Sequence, residues 1–167
     1  DRSVLLSEAV SILELAATEL AKAPIPTSFI ANITIANSSE NNTPAKINSF
    51  YASTINALIA RYSLMAGNYD KALSAANAVN LTVKSVLFHD DVSPNALFFS
   101  SFAARNNTEP ADANFSLPTA LLTDPADKRI PFFFNSTSGL NKGRASFFSA
   151  NGTAVPIYRP GEIILIK

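Results

Sequence analysis

The strongest constraint in the sequence is the Gly67-Asn68 step, which divides the alanine-rich stretch Asn48–Asn80 into two amphipathic halves. In the first half Phe50, Ile55, Leu58, Tyr62 and Met65 keep returning to one face at 3.6 residues per turn. Ala52, Ala57, Ala60 and Ala66 fill the gaps and leave room for a neighbouring helix to come close. Gly67 can take the left-handed conformation that ends a helix, and Tyr69-Asp70 restarts one. The second half then carries its own stripe of Ala72, Leu73, Ala76 and Val79. A hairpin of this kind cannot bury both apolar faces alone, so it needs further helices stacked on it.

The flanking segments supply them. Ser3–Ala23 predicts an amphipathic helix with Leu5, Ala9, Ile12, Ala16 and Leu20 on its inner face, stopped by Pro24 and Pro26. Residues 27–44 read as a polar connector holding Ile30, Ile33 and Ile35, and Pro44 or Ala45 opens the long helix. Leu81–Phe88 is a short extended piece or a helix tail. A Pro-, Asn- and Asp-rich stretch follows, with a strand around Leu97–Phe102 and a helical turn at Thr119–Leu122. Arg129–Asn135 and Arg144–Ala150 read as two short strands, each with a Phe cluster, Phe132–Phe134 and Phe147-Phe148. The expected fold is mainly α in one region, 1–167. Its helices lie at about 3–23, 45–66 and 69–80, its long irregular loops and small β-hairpin at 81–157, and a further helix begins within 158–167.

Composition narrows the function. With 47% hydrophobic and only 16% charged residues the chain buries a core rather than staying disordered. Thirteen basic residues balance 13 acidic ones with no basic stripe, which argues against nucleic acid as partner. Cysteine is absent, so no disulfide framework or thiolate metal site exists. No apolar run approaches the ~20 residues that span a bilayer. The chain opens on Asp1 and closes within the apparent start of a helix, so it is expected to be a fragment of a larger protein.

No nucleophile–base constellation stands out, and no catalytic residue, metal ligand or cofactor is expected. His89 beside Asp90 and Asp91 reads as a surface turn rather than a metal corner, since no second His joins it. Glu109, Asp112, Asp124 and Asp127 sit among Pro, Ala and Asn and read as turns and caps rather than a glycosidase pair. Asp124 and Arg129 suggest a structural ion pair. Long irregular segments on a helical scaffold are where binding surfaces lie. The candidate ligand-binding residues are therefore Phe98, Phe99, Arg105, Asn106, Asn107 and Phe115. Phe98 and Phe99 either stack on sugar faces or pin the loop to the helices. Phe132–Phe134 are expected to pin the hairpin. Eight Asn-x-Ser/Thr triplets begin at Asn32, Asn37, Asn41, Asn80, Asn106, Asn114, Asn135 and Asn151, where composition alone would give roughly three. They are read as polar-loop composition, with N-glycosylation of a secreted protein as the alternative.

Tyr62, Gly67, Tyr69, Ala72 and Ala76 resemble the second half of a tetratricopeptide unit. The order of the segments around it resembles the central to C-terminal part of the SusD-like (RagB) family of outer-membrane nutrient-binding lipoproteins. The residues that carry this are Ala57–Ala72 with its Gly-Asn-Tyr turn, Asp124–Arg129 before a Phe-rich stretch, and Pro156–Lys167 with Tyr158-Arg159-Pro160-Gly161-Glu162. The similarity covers most of the chain from Ser3 onward. Pro160 departs from the family's usual helix former there and reads as a first-turn proline.

The resemblance implies an α-α superhelix of tetratricopeptide-like hairpins. It also implies a surface-exposed, non-enzymatic protein held on a Gram-negative outer membrane by a lipid anchor outside this chain. Such a protein binds glycan, or peptide, for a SusC-like TonB-dependent transporter. The alternative under the same resemblance is a scaffold that docks on the transporter while ligand sits elsewhere.

Overall fold

The computed structural model describes residues 1–26, 28, 43–83, 85–96, 98, 134–135, 144–145 and 150–167. These residues are mainly helical. They fall into two units, Asp1–Phe88 with Val155–Lys167, and His89–Ala154.

The first unit is built on three helices whose ends are written into the sequence. Helix α1 (Arg2–Lys22) starts where the Asp1 carboxylate accepts the Ser3 amide, and stops at an extended Ala23 just before Pro24. Helix α2 (Pro44–Met65) has Pro44 in its first turn, where the missing amide costs nothing. Thr43 caps it by accepting from Lys46 N. Gly67 then takes a φ of 79°, and the amides of Gly67 and Asn68 return to Leu64 O and Ser63 O. Asn68 at once caps helix α3 (Tyr69–Asn77), its Oδ1 accepting from Lys71 N at 3.2 Å. Two residues thus end one helix and begin the next.

Helix α2 lies at the centre, with α1 and α3 both packed along it. Ala57, Ala60, Ala72 and Ala76 are almost wholly buried, which is what lets the backbones approach closely. Coverage around α2 is wider than a single stripe, because Ile47, Ser53, Thr54, Ile59 and Ser63 are buried as well as Phe50 and Ile55.

Three details differ from the sequence expectation. The inner face of α1 is Leu6, Val10, Leu13, Ala17 and Leu20, so Leu5 and Ile12 point outward. On α3, Leu73 is exposed while Ala75 is buried, because the inner face is centred on Ala72, Ala75 and Ala76 and Leu73 lies off it. Met65, at the end of α2, is also exposed.

Strand β1 (Val86–Leu87) pairs antiparallel with β4 (Val155–Pro156), with Val86 opposite Pro156 and Leu87 opposite Val155. One further bond, Ile157 N to Ser85 O at 2.9 Å, extends the pairing. No local sequence pattern marks β4. Helix α4 (Pro160–Ile166) follows, with Pro160 in its first turn and Ile163 buried in the core beside Tyr158. Among the described residues no helix is long and apolar enough to cross a membrane.

In the second unit, strands β2 (Phe134–Asn135) and β3 (Arg144–Ala145) pair antiparallel, with Phe134 opposite Ala145. They fall within the two stretches expected to form a hairpin. The remainder of those stretches, the strand near Leu97–Phe102 apart from Phe98, the turn at Thr119–Leu122, most of the connector 27–42 and the Asp124–Arg129 pair lie outside the described residues.

Candidate functional site

Within the second unit the chain is organised around one buried amide. Asn95 is fully buried, and its side-chain Nδ2 donates to Thr153 O at 2.7 Å. Its backbone amide donates to Asn151 O at 3.0 Å, and its Oδ1 accepts the Phe98 amide at 3.3 Å. A single side chain therefore fixes the start of the loop expected to bind ligand and ties it to the 150–153 turn. That turn is closed on itself, Thr153 Oγ1 accepting from Ala150 N and Thr153 N donating to Ala150 O.

His89 and Asp90 form a neighbouring turn. Asp90 Oδ1 accepts from Val92 N and Ser93 N, the pattern of an Asx turn, and His89 Nδ1 lies 3.2 Å from Ser93 O. Among the described residues no group of three His, Asp or Glu side chains is placed to hold a metal ion.

Of the six candidate ligand-binding residues, the structure places Phe98, which is half-buried beside the Asn95 node. Phe99, Arg105, Asn106, Asn107 and Phe115 lie outside the described residues, as do Glu109, Asp112, Asp124 and Asp127. Asn95 is not among the residues to which the sequence points. An Asn after Ser-Pro reads as an ordinary loop residue, and nothing local marks it as buried.

The first unit has its own polar centre. Arg61 on α2 grips Glu162 on α4 through two bonds, Nε to Oε1 and Nη2 to Oε2 at 2.7 Å, and Nη2 also donates to Ile157 O at 2.9 Å. The hydrogen bond from Arg61 holds the Glu162 carboxyl below the usual range, against the opposing pull of partial burial. The same bond raises the Arg61 guanidinium. Tyr158 beside them is pushed up by burial, which the nearby Ser53 hydroxyl partly offsets. These charges hold α2 and α4 together.

One groove runs between α1 and α3 over the floor of α2. It encloses about 520 Å³ beside Glu14, Asn56, Ile59, Lys71 and Ser74. Lys71 Nζ spans it to reach Glu14 Oε1 at 2.6 Å. Of the Asn-x-Ser/Thr triplets, Asn80 is exposed, and its Oδ1 accepts both the amide and the hydroxyl of Thr82. Asn151 is half-buried, and its Nδ2 reaches Asp91 Oδ1 at 3.5 Å.

Compared with known proteins, the chain matches no family model, no curated protein and no solved structure.

Proposed function

We propose that this chain is a non-catalytic, glycan-binding module of SusD-like type, displayed on an outer membrane and serving a TonB-dependent transporter. In this reading α1 to α4 form part of a tetratricopeptide-type superhelix. The loop region beginning at Asn95 captures oligosaccharide by aromatic stacking and neutral hydrogen bonds.

One observation carries the reading. Two of the three segments on which the resemblance rests, the Gly-Asn-Tyr hairpin and the Tyr158-Arg159-Pro160-Gly161-Glu162 helix start, meet through the Arg61–Glu162 clamp. Helix order alone would not require them to touch. Gly67, at a φ of 79°, ends the helix of the first segment, and Pro160 stands in the first turn of the second.

The test is a glycan- and peptide-array screen of the chain, followed by titration of any hit against Phe98→Ala. Saccharide binding that falls about tenfold on removing the ring, a loss of ~1.4 kcal/mol, supports the proposal. Binding to peptides alone, or no binding by the chain at all, overturns it.

A further inference from the structure

We propose that the outer side of α1 is a docking seam for an amphipathic helix of a partner protein, one that sets basic residues against Glu8 and Glu19. The inference stands on α1 itself and does not rest on the glycan reading.

Helix α1 carries two apolar seams. The inner one, Leu6, Val10, Leu13, Ala17 and Leu20, advances by alternating steps of four and three and packs toward α2. The outer one, Leu5, Glu8, Ile12, Leu15 and Glu19, advances by the same alternation, the spacing at which one helix meets another over several turns. Here the side chains are bare: Leu5 is 71% exposed, Ile12 58% and Leu15 61%, with Val4 alongside at 64%. Three of the five seam positions are thus large exposed apolar residues with Val4 beside them and carboxylates at the other two, and exposed apolar surface rimmed by polar residues marks interaction sites.

Charge selects the occupant. Glu8 makes no ion pair among the described residues, and Glu19 is held only by Lys22 of its own helix, both ends of that pair being exposed. A second copy is a poor fit. Antiparallel pairing of two α1 helices about Ile12 sets Glu8 against Leu15 and Glu19 against Leu5, covering carboxylates without a cation, and parallel pairing sets like charges together. The same carboxylates disfavour an anionic lipid surface. A helix with an apolar stripe and two Lys or Arg about three turns apart meets both requirements over a seam about 21 Å long.

The test uses the whole chain and two synthetic helices of about three heptads, identical in their Leu/Ile stripe. One carries Lys opposite Glu8 and Glu19, and the other carries Glu there. Fluorescence anisotropy is expected to show the Lys helix binding about tenfold tighter or better than the Glu helix. The double variant Ile12→Ser/Leu15→Ser is expected to lose that binding while its thermal midpoint stays that of the parent, since both side chains are exposed. Absence of binding, or equal affinity for the two helices, overturns the proposal. So does a lowered midpoint in the double variant, which would make these residues part of the chain's own core. A concentration-dependent dimer in sedimentation that the double variant abolishes would give the seam to a second copy instead.

Discussion

Arg61 and Glu162 stand 101 positions apart in the chain and face each other as a two-pronged pair, with the Ile157 carbonyl taking a further guanidinium proton. Each side chain is about one-third exposed. The pair is therefore worth less than its short contacts suggest, since solvent screens the charges and two flexible side chains are immobilised. Removing one partner by Arg61→Met should cost about 1 kcal/mol, read as a fall in thermal midpoint of about 2–4 °C.

The same pair sets a pH dependence. The folded-state pKa of Glu162 is lowered, so its contribution is fully present above the ordinary carboxylate range and is lost as pH falls through the depressed folded value. The gap in thermal midpoint between the parent and Glu162→Gln should be widest near neutrality and close in acid. A gap that ignores pH would mean that Glu162 acts by packing alone.

The buried hydroxyl pair of Thr54 and Ser85 is directional. Thr54 Oγ1 donates to Phe50 O at 2.8 Å, so at 2.7 Å it must accept the proton of Ser85. Thr54→Val should cost about 1–3 kcal/mol, because it strands a buried Ser85 donor. Adding Ser85→Ala should recover part of that loss, and a double-mutant cycle by denaturant unfolding reads the coupling.

Asn95→Ala removes an acceptor and a donor from a fully buried site. The expected cost is about 1–3 kcal/mol, confined to the His89–Ala154 unit. Amide exchange should accelerate at Phe98 while the amides of α2 keep their protection. Unchanged exchange at Phe98 would show that the node does not hold the loop.

Gly67→Ala isolates backbone strain. Nothing lies within 4 Å of a Cβ added there, so the φ of 79° alone should cost about 1–2 kcal/mol. Ala60→Leu, at a wholly buried helix contact, should cost about 1–3 kcal/mol by crowding instead. Chemical denaturation of both variants measures each cost.

Local chemistry was legible in the sequence, and long-range pairing was not. Thr43-Pro44 and Gly67-Asn68 declare helix ends because capping and left-handed backbone are properties of a few adjacent residues. The inner face of α1 differs from the expected one because Leu5, Ile12 and Leu15 are as apolar as Leu6, Val10 and Leu13, and periodicity cannot choose between two equal stripes. Hydrophobicity favours Leu73 for the core, whereas the phase of α3 turns Ala72, Ala75 and Ala76 inward instead. The Val86–Pro156 pairing and the Asn95 node join residues tens of positions apart through two-residue strands and single hydrogen bonds, which leave no periodic trace. Of the candidate site, Phe98 is located and its anchor is new.

The antiparallel meeting of Val86-Leu87 with Val155-Pro156 joins the point at which the chain leaves the helical unit after Phe88 to the point at which it returns at Val155. What lies between can lengthen, shorten or change its chemistry at slight thermodynamic expense, since doubling a closed excursion costs only about 0.6 kcal/mol. Such a segment can change in length and sequence while the helices that carry it keep theirs.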